Sequence, residues 1–130
     1  MTFCLDTDQA IEYLKGNTAV TSKIESSEEE ICITPITVLE LFYGAYRSAQ
    51  VSRRVGEVRL FVNAFEVLPF NQLVYEQFGL LKAELAERGE LLDNFDLVIA
   101  SFCRAHNHIL VTSNKKHFER IKGLKIENWR

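Results

Sequence analysis

Apolar and polar positions along the chain follow two rhythms: short continuous apolar runs, and longer stretches with apolar residues three or four positions apart. Phe3-Cys4-Leu5, Ile31-Cys32-Ile33-Thr34, Val67-Leu68 and Ile109-Leu110-Val111-Thr112 belong to the first kind. They have the length of strands, favour residues that pack on a pleated surface, and stop at polar or proline residues. An unbroken apolar run such as Ile109-Leu110-Val111 predicts a parallel strand covered on both faces. Lys125-Ile126-Glu127 predicts a short last strand.

The second rhythm predicts helices between these strands. One runs from about Gln9 to Lys15 and stops at Gly16-Asn17. Residues 18–30 read as an exposed helix or loop ending in Glu28-Glu29-Glu30. Pro35 opens a helix in which Val38, Leu41, Phe42, Ala45, Tyr46 and Ala49 form one apolar stripe. A second stretch at about 52–65 carries Val55, Val58, Phe61, Val62 and Phe65, and a long helix at about 71–88 is closed by Gly89. Asn94 to about His106 is apolar almost all round, which predicts a helix buried inside the domain. A short helix is expected near 115–121.

Short apolar strands alternating with helices predict a three-layer α/β/α domain around a mainly parallel sheet. With 130 residues and no repeat or linker, one domain spanning 1–130 is expected. In such sheets, functional groups gather outside the carboxyl ends of the strands.

Composition changes this picture little. Apolar residues make up 47% and charged residues 25%, as in an ordinary globular domain. No apolar run reaches the roughly 18 residues of a membrane span, and Met1-Thr2-Phe3-Cys4-Leu5-Asp6 lacks the form of a secretory signal. Cys4, Cys32 and Cys103 are widely spaced, odd in number and set in apolar segments, so they read as reduced core thiols of a cytoplasmic protein. Charge is more informative. The net charge is −3, yet residues 104–130 carry seven Lys and Arg against two acids, together with His106, His108 and His117. This basic end is either a solvated face or a surface for a polyanion.

The acids carry the candidate chemistry. Asp6 ends the first strand, either as a helix N-cap or as a catalytic acid. Glu40 points away from the apolar stripe of its helix and shares a face with Gly44, where something can approach closely. Asp93 and Asp96 open the apolar helix, where capping and the helix dipole also favour carboxylates. Thr112-Ser113-Asn114 leaves the Ile109–Val111 strand. Taken together, Asp6, Asp96 and Thr112–Asn114 come to the carboxyl edge of one sheet. Crowded carboxylates repel, so a hard cation is their natural neutraliser, and oxygen-only donors favour Mg²⁺ or Mn²⁺.

Leu5-Asp6-Thr7, Leu39-Glu40-Leu41-Phe42-Tyr43-Gly44, Asp96-Leu97-Val98-Ile99-Ala100, Leu110-Val111-Thr112-Ser113-Asn114 with Phe118, and Gly123-Leu124 with Asn128-Trp129 resemble, in order and spacing, the VapC-like PIN-domain ribonucleases. The resemblance covers essentially the whole chain. It implies a PIN-like fold and a Mg²⁺- or Mn²⁺-dependent endoribonuclease toxin. It further implies a VapB-like antitoxin that neutralises the toxin, an RNA substrate and a homodimer. The family's first three acids fall on Asp6, Glu40 and Asp96, with Asp6 and Asp96 as metal ligands. The fourth falls on Asn114, which departs from the acid common there. Asp93 stands where some members carry a further acid, and Asp8 where Asn or Ser is more usual. Thr112 and Asn114 are then supporting groups, and Arg104, Lys115, Lys116 and Arg120 are expected phosphate contacts on grounds of charge.

Two alternatives stand beside this reading. Asp6-Thr7-Asp8 is also the DxD of phosphatases that phosphorylate their first aspartate, and Asn114 is compatible with a PIN scaffold that binds without cleaving.

Overall fold

The computed structural model describes residues 1–129. The chain runs through β1 (Phe3–Leu5), α1 (Thr7–Leu14), α2 (Thr18–Ser26), β2 (Ile31–Ile33), α3 (Pro35–Tyr46) and α4 (Val51–Ala64). It continues through β3 (Glu66–Val67), α5 (Gln72–Glu87), α6 (Asn94–His106), β4 (Ile109–Val111), α7 (Lys115–Phe118) and β5 (Lys125–Glu127). The strands form one sheet in the order β3-β2-β1-β4-β5, and each of these pairings is parallel.

The continuous apolar runs are explained by what covers the sheet. Cys4, Cys32 and Leu110 face a core shared with α5 and α6. Their neighbours Leu5, Ile33 and Val111 face a second core built with α1, α3 and α4. Both faces are dry, so the strands need apolar residues at successive positions, and the three-layer α/β/α arrangement follows.

Side-chain caps set several helix starts. Asn17 accepts from the Val20 N–H, Thr34 from Thr37, and Asn71 from Val74. Gly16 and Gly89 follow the ends of α1 and α5 with φ of +82° and +65°, a left-handed conformation that glycine adopts without penalty. The 18–30 stretch resolves into α2 followed by the acidic run leading into β2.

Two expectations about burial need correction. In α3 the buried residues are Ile36, Thr37, Leu41 and Ala45, whereas Tyr46 is 61% exposed and Ala49 lies beyond the helix. Leu41 and Ala45 keep the buried face to the last turn, whereas Tyr46, one position further round the helix, faces away from it. In α6 the face is less uniform than the sequence suggests: Phe95 is 44% exposed at the helix start, while 97 and 99–103 are buried.

The three thiols meet inside the first core. Cys4 and Cys32 are cross-strand partners, and Cys4 also bonds to Cys103 of α6. That hydrogen bond and complete burial push the Cys4 thiol well above its ordinary range, so it stays protonated and inert. Among the described residues, no helix is long and apolar enough to cross a membrane.

Gln9 of α1 is fully buried, and neither end of its amide has a hydrogen-bond partner in the protein. An unsatisfied buried amide is costly, whereas an apolar side chain of similar length has nothing to satisfy. Gln9→Met is therefore expected to stabilise the protein by about 1–2 kcal/mol in urea unfolding. A variant less stable than the parent would show that the amide is satisfied in solution.

Candidate active site

Strand order places the site. β1 is central, the chain first builds outward through β2 and β3, and it then returns to add β4 and β5 on the other side. The direction of winding reverses at the carboxyl ends of β1 and β4, the edge where such sheets gather functional groups. Asp6 and Thr112 stand on that edge, one residue beyond the paired Leu5 and Val111. The Asp6 N–H continues the ladder to the Val111 carbonyl at 2.9 Å. Its Oδ1 accepts from the Thr7 N–H at 2.8 Å, and its Oδ2 accepts from Thr112 Oγ1 at 2.7 Å. The Thr7 bond makes Asp6 the cap of α1, and the Thr112 bond holds the same carboxyl group against the end of β4.

Asp6 is only 3% exposed. Burial first, and then the charge of Asp8, push its carboxyl up to about 7, against the opposing bonds from Thr112 and Thr7. Asp96, in the first turn of α6, also contributes to that rise. Asp96 is itself raised, by burial first and then by Asp93 and Glu40. The acids from α1, α3 and α6 therefore share one electrostatic field. Asp93 is exposed and caps α6, with Oδ2 accepting from the Phe95 N–H at 3.1 Å.

Hydroxyl groups fix the remaining acids. Thr7 Oγ1 donates to Glu40 Oε1 at 2.6 Å and lies 3.0 Å from Thr37 Oγ1. Thr7 has one hydroxyl hydrogen, so Thr37 must be the donor to Thr7, and a relay Thr37 to Thr7 to Glu40 results. Asp8 Oδ2 accepts from both the backbone N–H and the hydroxyl of Ser113. Asp8 Oδ1 is buried without a hydrogen-bond partner. Asn114 is exposed, and its N–H donates to Thr112 Oγ1 at 3.0 Å.

The basic residues divide into two groups. Arg104 donates to the Lys122 carbonyl and Arg120 to the Leu91 carbonyl, so both guanidinium groups brace loops. Lys115 and Lys116 are exposed on α7, with Lys115 3.9 Å from Glu119. His117 was not singled out as a site residue, yet its Nδ1 lies 3.9 Å from Asp96 Oδ2. The spacing Asp96, Thr112 and His117 carries no periodic signal, so the sequence offered no way to find it. Thr37 is hidden for the same reason.

Beside Glu40 a cavity of about 580 Å³ opens between α1, α3 and α4. Ile11, Leu14, Leu41 and Val58 contribute apolar wall; Lys15, Arg53, Arg54 and Glu57 add charge; Gly44 also lines it. A Cβ on Gly44 would meet nothing within 4 Å, so the glycine leaves open space rather than relieving a clash.

The donor chemistry fits a hard divalent cation: carboxylates and hydroxyls, desolvated and mutually repelling, with one carboxylate oxygen left unbonded. Among the described residues, no three His, Cys, Asp or Glu side chains are already drawn together around one point as metal ligands would be. The repulsion that raises Asp6 and Asp96 is the force a cation would cancel on drawing them in.

The PIN domain family matches residues 3–124. The chain is 34% identical over 128 residues to a tRNA(fMet)-specific endonuclease VapC of Shigella flexneri, covering 98% of this chain and 97% of that protein. It is 33% identical to ribonuclease VapC2 of Haemophilus influenzae over the same shares. Among solved structures, it is similar to VapBC2 of Rickettsia felis bound to a DNA fragment from their promoter, with a TM-score of 0.93, 31% identity and 100% of both chains covered. DNA-bound VapBC of Salmonella typhimurium gives a TM-score of 0.94 at 32% identity, covering 100% of this chain and 99% of that one.

Proposed function

The chain belongs to the PIN-domain family, and from that premise we propose that it is a divalent-cation-dependent endoribonuclease toxin, neutralised by a VapB-like antitoxin. The observation that carries the catalytic reading is Asp6: a nearly buried carboxyl group held at the carboxyl ends of β1 and β4, pushed up to about 7 by burial and by neighbouring acids. Such a group is expensive to keep charged without a cation.

In this reading Asp6 and Asp96 hold Mg²⁺ or Mn²⁺. A bound divalent cation supplies Lewis acidity for attack of water on an RNA phosphodiester. Thr112 fixes the Asp6 carboxyl through its 2.7 Å bond, as groups behind metal ligands commonly do. Glu40, aimed by the Thr37–Thr7 relay, orients the attacking water. Asn114 and the α6-capping Asp93 complete the polar rim. Lys115 and Lys116 attract the phosphate backbone, while Arg104 and Arg120 brace the chain at Lys122 and Leu91. The antitoxin is assigned to the cavity beside Glu40, whose apolar walls and mixed charge suit an amphipathic segment. The protein acts as a homodimer, in the cytoplasm. The relatives are ribonucleases, which removes the basis for reading Asp6-Thr7-Asp8 as a phosphatase motif.

The experiment is cleavage of a transfer RNA and of an unrelated RNA by purified protein, with and without EDTA. Cleavage should stop in EDTA and return with Mg²⁺ or Mn²⁺. Cleavage that persists in EDTA rules out the cation mechanism. Antitoxin binding without any cleavage would establish the non-cleaving scaffold instead.

A further inference from the structure

The acids around this edge of the sheet differ in how their oxygens are used. Asp6 engages both, one with Thr7 and one with Thr112. Asp93 caps α6 from an exposed position, and Glu40 takes the Thr7 hydroxyl. Asp8 is different. Its Oδ2 is gripped from two sides by Ser113, whose N–H donates at 3.0 Å and whose hydroxyl donates as well. Its Oδ1 is buried and has no hydrogen-bond partner.

A carboxylate in the first turn of a helix ordinarily serves the free N–H groups or water there. Asp8 instead reaches out of α1 to the loop after β4, 105 residues away in sequence. The Ser113 grip stops the carboxyl group from turning Oδ1 towards solvent. A stripped carboxylate oxygen is costly unless something positive meets it. Meanwhile the turn after β4 offers only the neutral, exposed Asn114.

We propose that Asp8, through Oδ1, supplies a further carboxylate ligand to the divalent cation held by Asp6 and Asp96, with Ser113 aiming it. The assignment rests on the cation-dependent reading of the site given above. It moves the last carboxylate of the site from the β4 turn to the first turn of α1. It also gives Ser113 a purpose, because a two-donor grip on Oδ2 orients the ligand without competing for Oδ1.

The test is Mn²⁺ binding by calorimetry on the full chain, with thermal melts in EDTA, for the parent, Asp8→Asn, Ser113→Ala and Glu84→Gln. Asp8→Asn is expected to weaken Mn²⁺ binding by about tenfold or more. Its melting temperature in EDTA should equal or exceed the parent's, because a repulsion against Asp6 is removed. Ser113→Ala should weaken Mn²⁺ binding less, and Glu84→Gln, an exposed change on α5, should leave it alone. Parent-like Mn²⁺ affinity in Asp8→Asn overturns the assignment. So does a lower melting temperature in EDTA without loss of affinity, which would make Asp8 a brace. If Asp8→Asn does not fold, Ser113→Ala decides: parent-like affinity there overturns the proposal. A parent protein that binds no Mn²⁺ refutes the cation reading itself, a separate failure.

Discussion

Asp6→Asn and Asp96→Asn are each expected to lower RNA cleavage by on the order of 10³-fold, while the protein stays folded. Both changes keep the shape of the side chain and remove the charge. At Asp6 the amide oxygen can still accept from the Thr7 N–H, so the start of α1 is preserved. What is lost is one of the carboxylates that would hold the cation. On the order of 10³-fold corresponds to about 4 kcal/mol of transition-state stabilisation, more than any one neutral hydrogen bond here contributes. The measurement is single-turnover cleavage at saturating Mn²⁺, with circular dichroism as the check on folding. Cleavage within about tenfold of the parent in either variant would remove that residue from the metal site.

The same substitution should have the opposite effect on stability. In the absence of a cation, the folded protein holds the Asp6 carboxyl up to about 7, against an ordinary value of 3.8 in the unfolded chain. The folded state therefore binds the proton more tightly. Its stability is greatest below the unfolded value, falls as pH rises from about 4 to 7, and is lowest above that. Asn cannot ionise, so Asp6→Asn should match the parent near pH 4 and exceed it increasingly up to pH 8, by at most about 4 kcal/mol. Urea unfolding in EDTA at pH 4.5 and pH 8 tests this. A variant no more stable than the parent at pH 8 would mean that the charge of Asp6 is already compensated without metal. A variant more stable than the parent at pH 8 makes the site an instance of function held at the expense of stability.

Much of this was legible in the sequence because the signals were local. The runs at 3–5, 31–33 and 109–111 became strands because both faces of the sheet are covered. Gly16, Gly89 and the caps at 93 and 6 marked helix ends through backbone chemistry that needs no tertiary partner. The positions of Asp6 at the end of β1, Glu40 in α3 and Asp96 in the first turn of α6 follow from the same local signals. Other features depended on long-range placement. Tyr46 has the spacing of a core residue yet is exposed beside the buried Ala45, because spacing alone does not fix how wide the buried face of a helix is. Arg104 and Arg120 read by charge as phosphate contacts, but their guanidinium groups donate to the carbonyls of Lys122 and Leu91. Thr37 and Ser113 act only through partners far away in sequence, and a lone hydroxyl announces nothing about its partner.

The bond between Thr112 and Asp6 joins residues 106 positions apart, across the ends of the neighbouring strands β1 and β4. During synthesis, β1 is made first but lacks its β4 neighbour until nearly all of the chain exists. Until then Asp6 has no hydroxyl to fix it, Asp8 has no Ser113, and α6 has no completed sheet to pack against. An emerging chain therefore carries its acids in disarray, and a hydrolase that attacks RNA comes into being only as its last segment folds home. Truncated products that end before residue 112 should be harmless by construction.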